Sequence, residues 1–374
     1  MTSRYQDPKI AEIFSEDRKY TLWLLIEEAL VKALAPEDVS RPFSSFIQGL
    51  QGVNLTSFIN ACKHEEQGTN HDVGAFLNVL EARADGCVST FLHRGFTSSD
   101  VVDTATSLQI HAALRHIEWL KHDFKEAITN SGDAACVGYT HGMPAEAMCL
   151  SARWQRCFNE LRDLPRIKPH LTGPLGDAKH LDIDTRIELA RLLGFHNDGG
   201  KGRAPAQPNY MQCSERSDFA RLASSIAING SVLAKMALDM RLLVFKGEMG
   251  REKGHHEMGS SAMPHKTNPA DLEKVCGLAR VLRGNAMVAM ENIELWLERD
   301  ISHSSTERMW LPDSFHLYCH MLTIMTKAVV NYKPTHEMGE ALVDNEKDLH
   351  TAANVVLLQK QGMGRRAAWL KVKG

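Results

Sequence analysis

Between Gly259 and Pro269 the chain reads Gly-Ser-Ser-Ala-Met-Pro-His-Lys-Thr-Asn-Pro, so Ser260 and Ser261 stand beside a glycine and are followed by Lys266 and Asn268. Backbone N–H groups, an ammonium and a side-chain amide in one short stretch can hold a carboxylate or a developing oxyanion. The same residues also suit a solvated loop whose serine and asparagine close turns on their own backbone. Residue types alone leave both readings open. Just upstream, His255-His256-Glu257 offers metal-ligand types. Adjacent histidines on a loop point apart, and no H-E-x-x-H or Cys/His zinc spacing surrounds them, so no metal is expected.

Helices must position this stretch. Ile110, Leu114, Ile117, Phe124 and Ile128 recur on one helical face. Leu222, Ile226, Asn229, Leu233, Met236, Met240 and Leu243 step by four and three, as do Val275, Ala279, Leu282, Ala286, Ala289, Ile293 and Trp296. Such spacing over three heptads predicts long helices crossing at shallow angles in a bundle, with the alanines of the second seam permitting close approach. Met236, Met240 and Trp296 therefore read as core. Ile228, Val232, Leu238 and Leu242 add apolar surface off the first seam, which predicts burial against another subunit. Ser98, Ser99 and Asp100 can cap a helix start. The stretches 196–209 and 247–269 are rich in Gly and Pro and read as loops.

Composition narrows the class. The chain has 374 residues, a formal net charge of −3 and 43% hydrophobic residues, which suits a soluble protein and not a nucleic-acid binder. No apolar run approaches the ~18–20 residues of a membrane span. Residues 1–7 are polar and lack the apolar core of a secretory signal. The eight cysteines form no C-x-x-C pair and read as reduced thiols, so a cytoplasmic location is expected.

The Gly259–Pro269 stretch also resembles the G-S-S-x-M-P-x-K-x-N-P signature of the fumarase/aspartase superfamily. Within it, further segments resemble the adenylosuccinate lyase branch, in order: Arg4-Tyr5; Thr69-Asn70-His71-Asp72-Val73 with Phe76; Thr97-Ser98-Ser99-Asp100 through Ala105; Thr140-His141-Gly142; Gln212 before Arg216; and Arg299-Asp300-Ile301-Ser302-His303-Ser304-Ser305 with Glu307-Arg308. The branch rests on Thr97–Asp100 and on Arg299–Arg308. The latter supplies two guanidiniums and hydroxyls, a set suited to a phosphomonoester because arginine presents a planar fork to phosphate oxygens.

The resemblance implies roles, position by position. Ser260 is the general base on the succinyl carbon and His141 the general acid for the departing purine nitrogen. Glu273 hydrogen-bonds His141 and fixes its tautomer. Lys266 and Asn268 hold the succinyl carboxylate on which charge builds. Thr97, Ser98 and Ser261 contact substrate carboxylates with Gln212 nearby, and Thr140 and Asn70 join the binding set. Arg4, Tyr5, Arg299, Ser304 and Arg308 bind the nucleotide phosphate, and His71 and Asp72 orient the substrate. His303 reads as structural. A serine can act as base only where its alkoxide is stabilised and solvent is shut out, so residues 254–269 are expected to close as a lid.

The implied fold is all-α, with a central bundle of long helices at residues 101–312, a helical N-terminal domain at 1–100 and a shortened helical C-terminal domain at 313–374. The implied reaction is cleavage of adenylosuccinate to AMP and fumarate, with parallel cleavage of the succinylated carboxamide intermediate of purine synthesis (SAICAR to AICAR). No cofactor is implied. The motif segments lie far apart along the chain, and the family unites them in a homotetramer whose sites draw on three subunits. The stretch Thr172-Gly173-Pro174-Leu175-Gly176 departs from the common family form and is expected to alter the floor of the site. The rival readings are argininosuccinate lyase, carboxymuconate cycloisomerase, and a non-catalytic structural protein on the same scaffold.

Overall fold

A computed structural model of the chain describes residues 2–52, 54–195, 209–251, 262–263 and 266–374. Ser260, Ser261, most of the expected lid, His255-His256-Glu257 and most of the 196–209 loop lie outside the described residues.

The expected helical class holds. In order come α1 (Pro8–Ile13), α2 (Glu16–Leu34), α3 (Glu37–Gln51), α4 (Leu55–Thr69), α5 (Asp72–Arg83), α6 (Ser98–Thr129), β1 (Ala135–Thr140), β2 (Met143–Cys149), α7 (Leu150–Asn159), α8 (Ile183–Leu192), α9 (Arg216–Phe245), β3 (Met249–Gly250), α10 (Ala270–Glu291), α11 (Ser302–Asn331), β4 (Lys333–Pro334), α12 (His336–Asp344), α13 (Glu346–Leu349), α14 (Thr351–Lys360) and α15 (Arg365–Lys373). The chain divides into two compact units. The first holds residues 1–117, 164–225 and 284–316, and the second holds 118–163, 226–283 and 317–374.

In the first unit, apolar faces of α2, α4 and α5 close on an aromatic cluster. Tyr20 and Trp23 rings lie 5.2 Å apart, and Phe76 meets Trp23 and Phe58 edge-on at 5.4 and 5.9 Å. Edge-to-face rings favour such distances because the positive ring edge meets a negative face. The α4–α5 turn is built by two capping residues. Asn70 ends α4 in the left-handed region, at φ 50°, which its short amide tolerates. His71 then caps α5, its Nδ1 accepting the Gly74 N–H at 3.0 Å. At the start of α6, Asp100 reaches back to the Thr97 N–H at 2.6 Å, the return half of a capping box.

In the second unit, α9, α10 and α11 pack closely. A Cβ on Gly230 of α9 would come within 2.6 Å of Leu282 on α10 and 3.6 Å of Met321 on α11. Asn229, fully buried on the expected seam, exchanges two 2.9 Å hydrogen bonds with the Arg162 backbone. The whole α9 seam from Leu222 to Leu243 is buried, as are Ile110 to Ile128 on α6. The α10 seam holds only as far as Ala289. The helix ends at Glu291, and Ile293 and Trp296 are exposed, the latter at 81%. Asp300 explains the end: its carboxylate takes the N–H of Trp296 at 2.8 Å and that of Ser302 at 2.7 Å, so a turn replaces the last seam positions. Ile228, Leu238 and Leu242 are exposed in the single chain.

A β-hairpin departs from pure helix. β1 pairs antiparallel with β2, Thr140 opposite Met143, leaving a two-residue loop of His141 and Gly142. Both have positive φ, 51° and 78°, as a type I′ hairpin turn requires.

Candidate active site

In the first unit, several side chains singled out from the sequence line one cavity of about 330 Å³: Asp72 at the start of α5, and Arg299, Ser304 and Arg308 on and before α11. Asp72 and Arg308 approach at 3.5 Å. Arg299 donates to the Gln212 side-chain oxygen at 3.1 Å, and the Gln212 N–H is itself held by the Glu298 carbonyl at 3.1 Å. Gln212 thus aims a guanidinium. Its own segment packs against a glycine: a Cβ at Gly176, which has φ 63°, would lie 2.1 Å from the Met211 carbonyl oxygen. The Thr172–Gly176 stretch therefore supports the segment that presents Gln212.

Behind these groups lies an ion-pair network that the sequence displayed without revealing. Asp103 of α6 takes both Arg216 guanidinium nitrogens at 3.0 Å and the Ser214 N–H at 2.7 Å. Glu307 of α11 lies 3.0 Å from Arg216 Nε. All three line the cavity. Burial pushes the Asp103 carboxyl up, but the charge and hydrogen bonds of Arg216 more than offset this and leave it at about 2. Burial pushes the Glu307 carboxyl up to about 7 against the weaker pull of Arg216. Two carboxylates facing one guanidinium explain the difference, because the second would leave a net negative charge in a buried place. His303, also buried beside the cavity, is pushed down to about 4 by burial and then by the Arg216 charge, so its ring is neutral at pH 7. His303 Nδ1 and Arg299 Nε are buried polar atoms without a hydrogen bond among the described residues. Unpaired buried polar groups cost about 1–3 kcal/mol each, so a polar ligand is the natural occupant of such a cavity.

This network predicts a pH dependence. Glutamate titrates near ~4.3 in an unfolded chain. Between there and about 7, the folded chain holds more protons at Glu307 than the unfolded chain does, so stability falls as pH rises through that window. Asp103 acts in the opposite sense: its contribution is complete above the ordinary aspartate range and is lost as pH falls toward about 2. His303, pushed down to about 4, acts against Glu307 up to the ordinary histidine value of ~6.5. The melting temperature at constant ionic strength is therefore expected to decline mainly between about pH 6.5 and about pH 7.5, and Glu307→Gln to remove that decline. An identical slope in wild type and variant would rule Glu307 out as its source.

The remaining first-unit residues stand at the α4–α5 turn, the α6 start and the N-terminus. His71 Nε2 lies 3.4 Å from Ser98 Oγ. Because Nδ1 is occupied as an acceptor in the helix cap, the neutral ring carries its proton on Nε2 and presents a donor there. Asn70 is exposed and Thr97 half-buried. Arg4 and Tyr5 form a short 3-10 turn and are not among the cavity-lining residues.

The second unit holds Thr140, His141, Lys266, Asn268 and Glu273. Thr140 and His141 are exposed at the hairpin end, and Thr140 and Gly142 line a cavity of about 810 Å³ with Glu146, Arg153, Lys235 and Lys246. Glu273, in the first turn of α10, lies 3.7 Å from Arg241, and no hydrogen bond to His141 is found among the described residues of the single chain. Lys266 is exposed and Asn268 half-buried.

A protein-family model described as lyase matches residues 3–284. The adenylosuccinate lyase of Aquifex aeolicus (strain VF5) is 30% identical over 388 residues, covering 99% of this chain and 86% of that protein. That of Deinococcus radiodurans is 32% identical over 395 residues, covering 99% and 87%. That of Bacillus subtilis (strain 168) is 30% identical over 391 residues, covering 99% and 86%. Among solved structures, a fumarate lyase from Mesorhizobium sp. BNC1 superposes with a TM-score of 0.78 at 21% identity, over 100% of this chain and 86% of that one. The 3-carboxy-cis,cis-muconate lactonizing enzyme of Pseudomonas putida gives 0.74 at 22%, over 99% and 85%. At such identities these two speak for the fold alone.

Proposed function

The chain belongs to the lyase family, and from that premise we propose that it eliminates fumarate from adenylosuccinate to give AMP, and in parallel converts SAICAR to AICAR. The observation that carries this reading is the meeting of Arg299, Ser304 and Arg308 on one cavity. Two guanidiniums and a hydroxyl around about 330 Å³ fit a phosphomonoester, a group that a substrate with carboxylates alone would not bring. Relatives named adenylosuccinate lyase, aligned over nearly the whole chain, support the same substrate.

In the proposed mechanism Ser260, as alkoxide, takes the proton from the succinyl carbon. The electron pair left behind spreads onto the adjacent carboxylate, where Lys266 and Asn268 stabilise the extra charge. The C–N bond then breaks, the carbon–carbon double bond of fumarate forms, and His141 delivers a proton to the departing nitrogen. Glu273 orients His141, Ser261, Thr97 and Ser98 hold carboxylates, and His71 offers its Nε2 proton to the substrate. Arg4 and Tyr5 complete the phosphate set. No cofactor or metal enters these steps.

We assign the working state as a homotetramer with sites shared among subunits. Supporting this, the proposed acid His141 is exposed in the single chain, whereas proton transfer to a leaving group needs a site shielded from water. Exposed Ile228, Leu238 and Leu242 on α9 add apolar surface of the kind subunits cover. A cytoplasmic location suits the eight cysteines, none of which is joined in a disulfide. No helix among the described residues is long and apolar enough to cross a membrane.

Fumarate release from adenylosuccinate, measured with Ser260→Ala alongside, tests the reading. Release that disappears in the variant is expected. A folded wild type that releases no fumarate from adenylosuccinate or SAICAR would refute the substrate.

A further inference from the structure

Lys19, in the first turns of α2, lines the same cavity as Arg299, Ser304 and Arg308, and no sequence motif singled it out. Its ammonium lies 4.7 Å from the centre of the Tyr20 ring and 4.8 Å from that of Trp23, both buried core side chains. A lysine that only packs its stem normally sends the ammonium out to water. Here two fixed ring faces hold the charge at the cavity wall, where cation–π attraction offsets part of the lost hydration. Burial lowers the Lys19 pKa, and the Asp72 charge restores only part of it. Among the described residues no carboxylate forms an ion pair with this ammonium, which rests on the two rings.

Among the other cations of the cavity, Arg216 is held by Asp103 and Glu307 and Arg308 leans on Asp72, while Arg299 meets the neutral amide of Gln212 and keeps a buried Nε without a hydrogen bond among the described residues. With Glu16, Asp72, Asp103 and Glu307 also lining it, the cavity has as many carboxyls as cations. A phosphate dianion entering there needs a positive charge not already committed to a partner. On the reading that this cavity takes the substrate phosphate, we propose that Lys19 is a direct ligand of that phosphate. It acts as a point charge beside the planar forks of Arg299 and Arg308.

The test is calorimetric binding of AMP and of adenosine to wild type, Lys19→Met and Lys19→Arg, with melting temperatures as a folding control. Methionine keeps the unbranched stem against the rings and removes the charge. Lys19→Met is expected to weaken AMP about 10- to 100-fold, the range for a hydrogen bond to a charged group, and to leave adenosine unchanged. Lys19→Arg should recover most of the AMP affinity. Equal losses on AMP and adenosine would make Lys19 a scaffold residue and overturn the proposal. Wild type that prefers AMP, with Lys19→Met keeping the full preference, overturns Lys19 alone. Wild type that binds both equally removes the phosphate assignment of the cavity, and the proposal with it. Should Lys19→Met not fold, Lys19→Gln carries the same comparison.

Discussion

Replacing His141 by asparagine is expected to lower the rate of fumarate release by about 10²- to 10⁴-fold, some ~3–5 kcal/mol of barrier, with the melting temperature unchanged. Asparagine is the informative choice because of the local backbone. His141 is the first residue of a two-residue hairpin loop, at φ 51°, with Gly142 at φ 78° behind it. Asparagine-glycine is the preferred pair for that turn, so the hairpin should form at least as well as in wild type. Alanine is less suited to positive φ, and His141→Ala would mix a turn defect into the kinetic loss. The exposed imidazole contributes little packing. A loss in kcat and kcat/KM together, with KM little changed, would mark an interaction made in the transition state. A rate within a few fold of wild type would sink the acid assignment.

Removing Asp103 should have the largest effect on stability. Its carboxylate makes two 3.0 Å bonds to Arg216 and accepts the Ser214 N–H at 2.7 Å, all in a buried place. Deleting one partner of a buried ion pair strands the other, at a cost of about 3–5 kcal/mol. Asp103→Ala is therefore expected to lower the denaturant midpoint sharply, and Asp103→Asn less, because the amide oxygen can still accept hydrogen bonds. The network makes a second, more specific demand. With Asp103 neutral, Glu307 is left as the counter-ion of Arg216 among the described residues and should ionise at lower pH. The decline of stability toward neutral pH should then vanish in Asp103→Asn. A variant as stable as wild type, or one with the wild-type pH slope, would contradict this account of the network.

Much of the fold could be read from spacing alone. Every seam residue read on α6 and α9 is buried, since a helix face repeats its neighbours at intervals of four and three whatever it packs against, though both helices begin before their seams. The same periodicity overran the end of α10. Ile293 and Trp296 keep the interval but are exposed, because Asp300 captures the Trp296 N–H and turns the chain. A side chain that competes for a backbone donor leaves no trace in apolar spacing. The β1–β2 hairpin was missed for a related reason. Its strands are short, half-exposed and broken in register at Gly138/Tyr139, so alternation is faint, and the signal lies in the left-handed His141-Gly142 pair.

The candidate site divides in the same way. Resemblance to family motifs picked out Asp72, Arg299, Ser304 and Arg308 as separate pieces, three of the four carrying charge. What spacing could not tell was partnership. That Gln212 aims Arg299, that Arg216 is held by Asp103 and Glu307, and that Lys19 is held over two rings all depend on residues far apart in the chain. Nor could it tell which charges are spent on one another and which face the cavity. By itself the sequence determined the helical class and the inventory of reactive groups, which follow from local periodicity and residue type, and its motifs carried the resemblance to the family. The tertiary structure decided the protonation of Glu307 and His303 and the convergence on one cavity, because burial and charge neighbours exist only once distant helices pack.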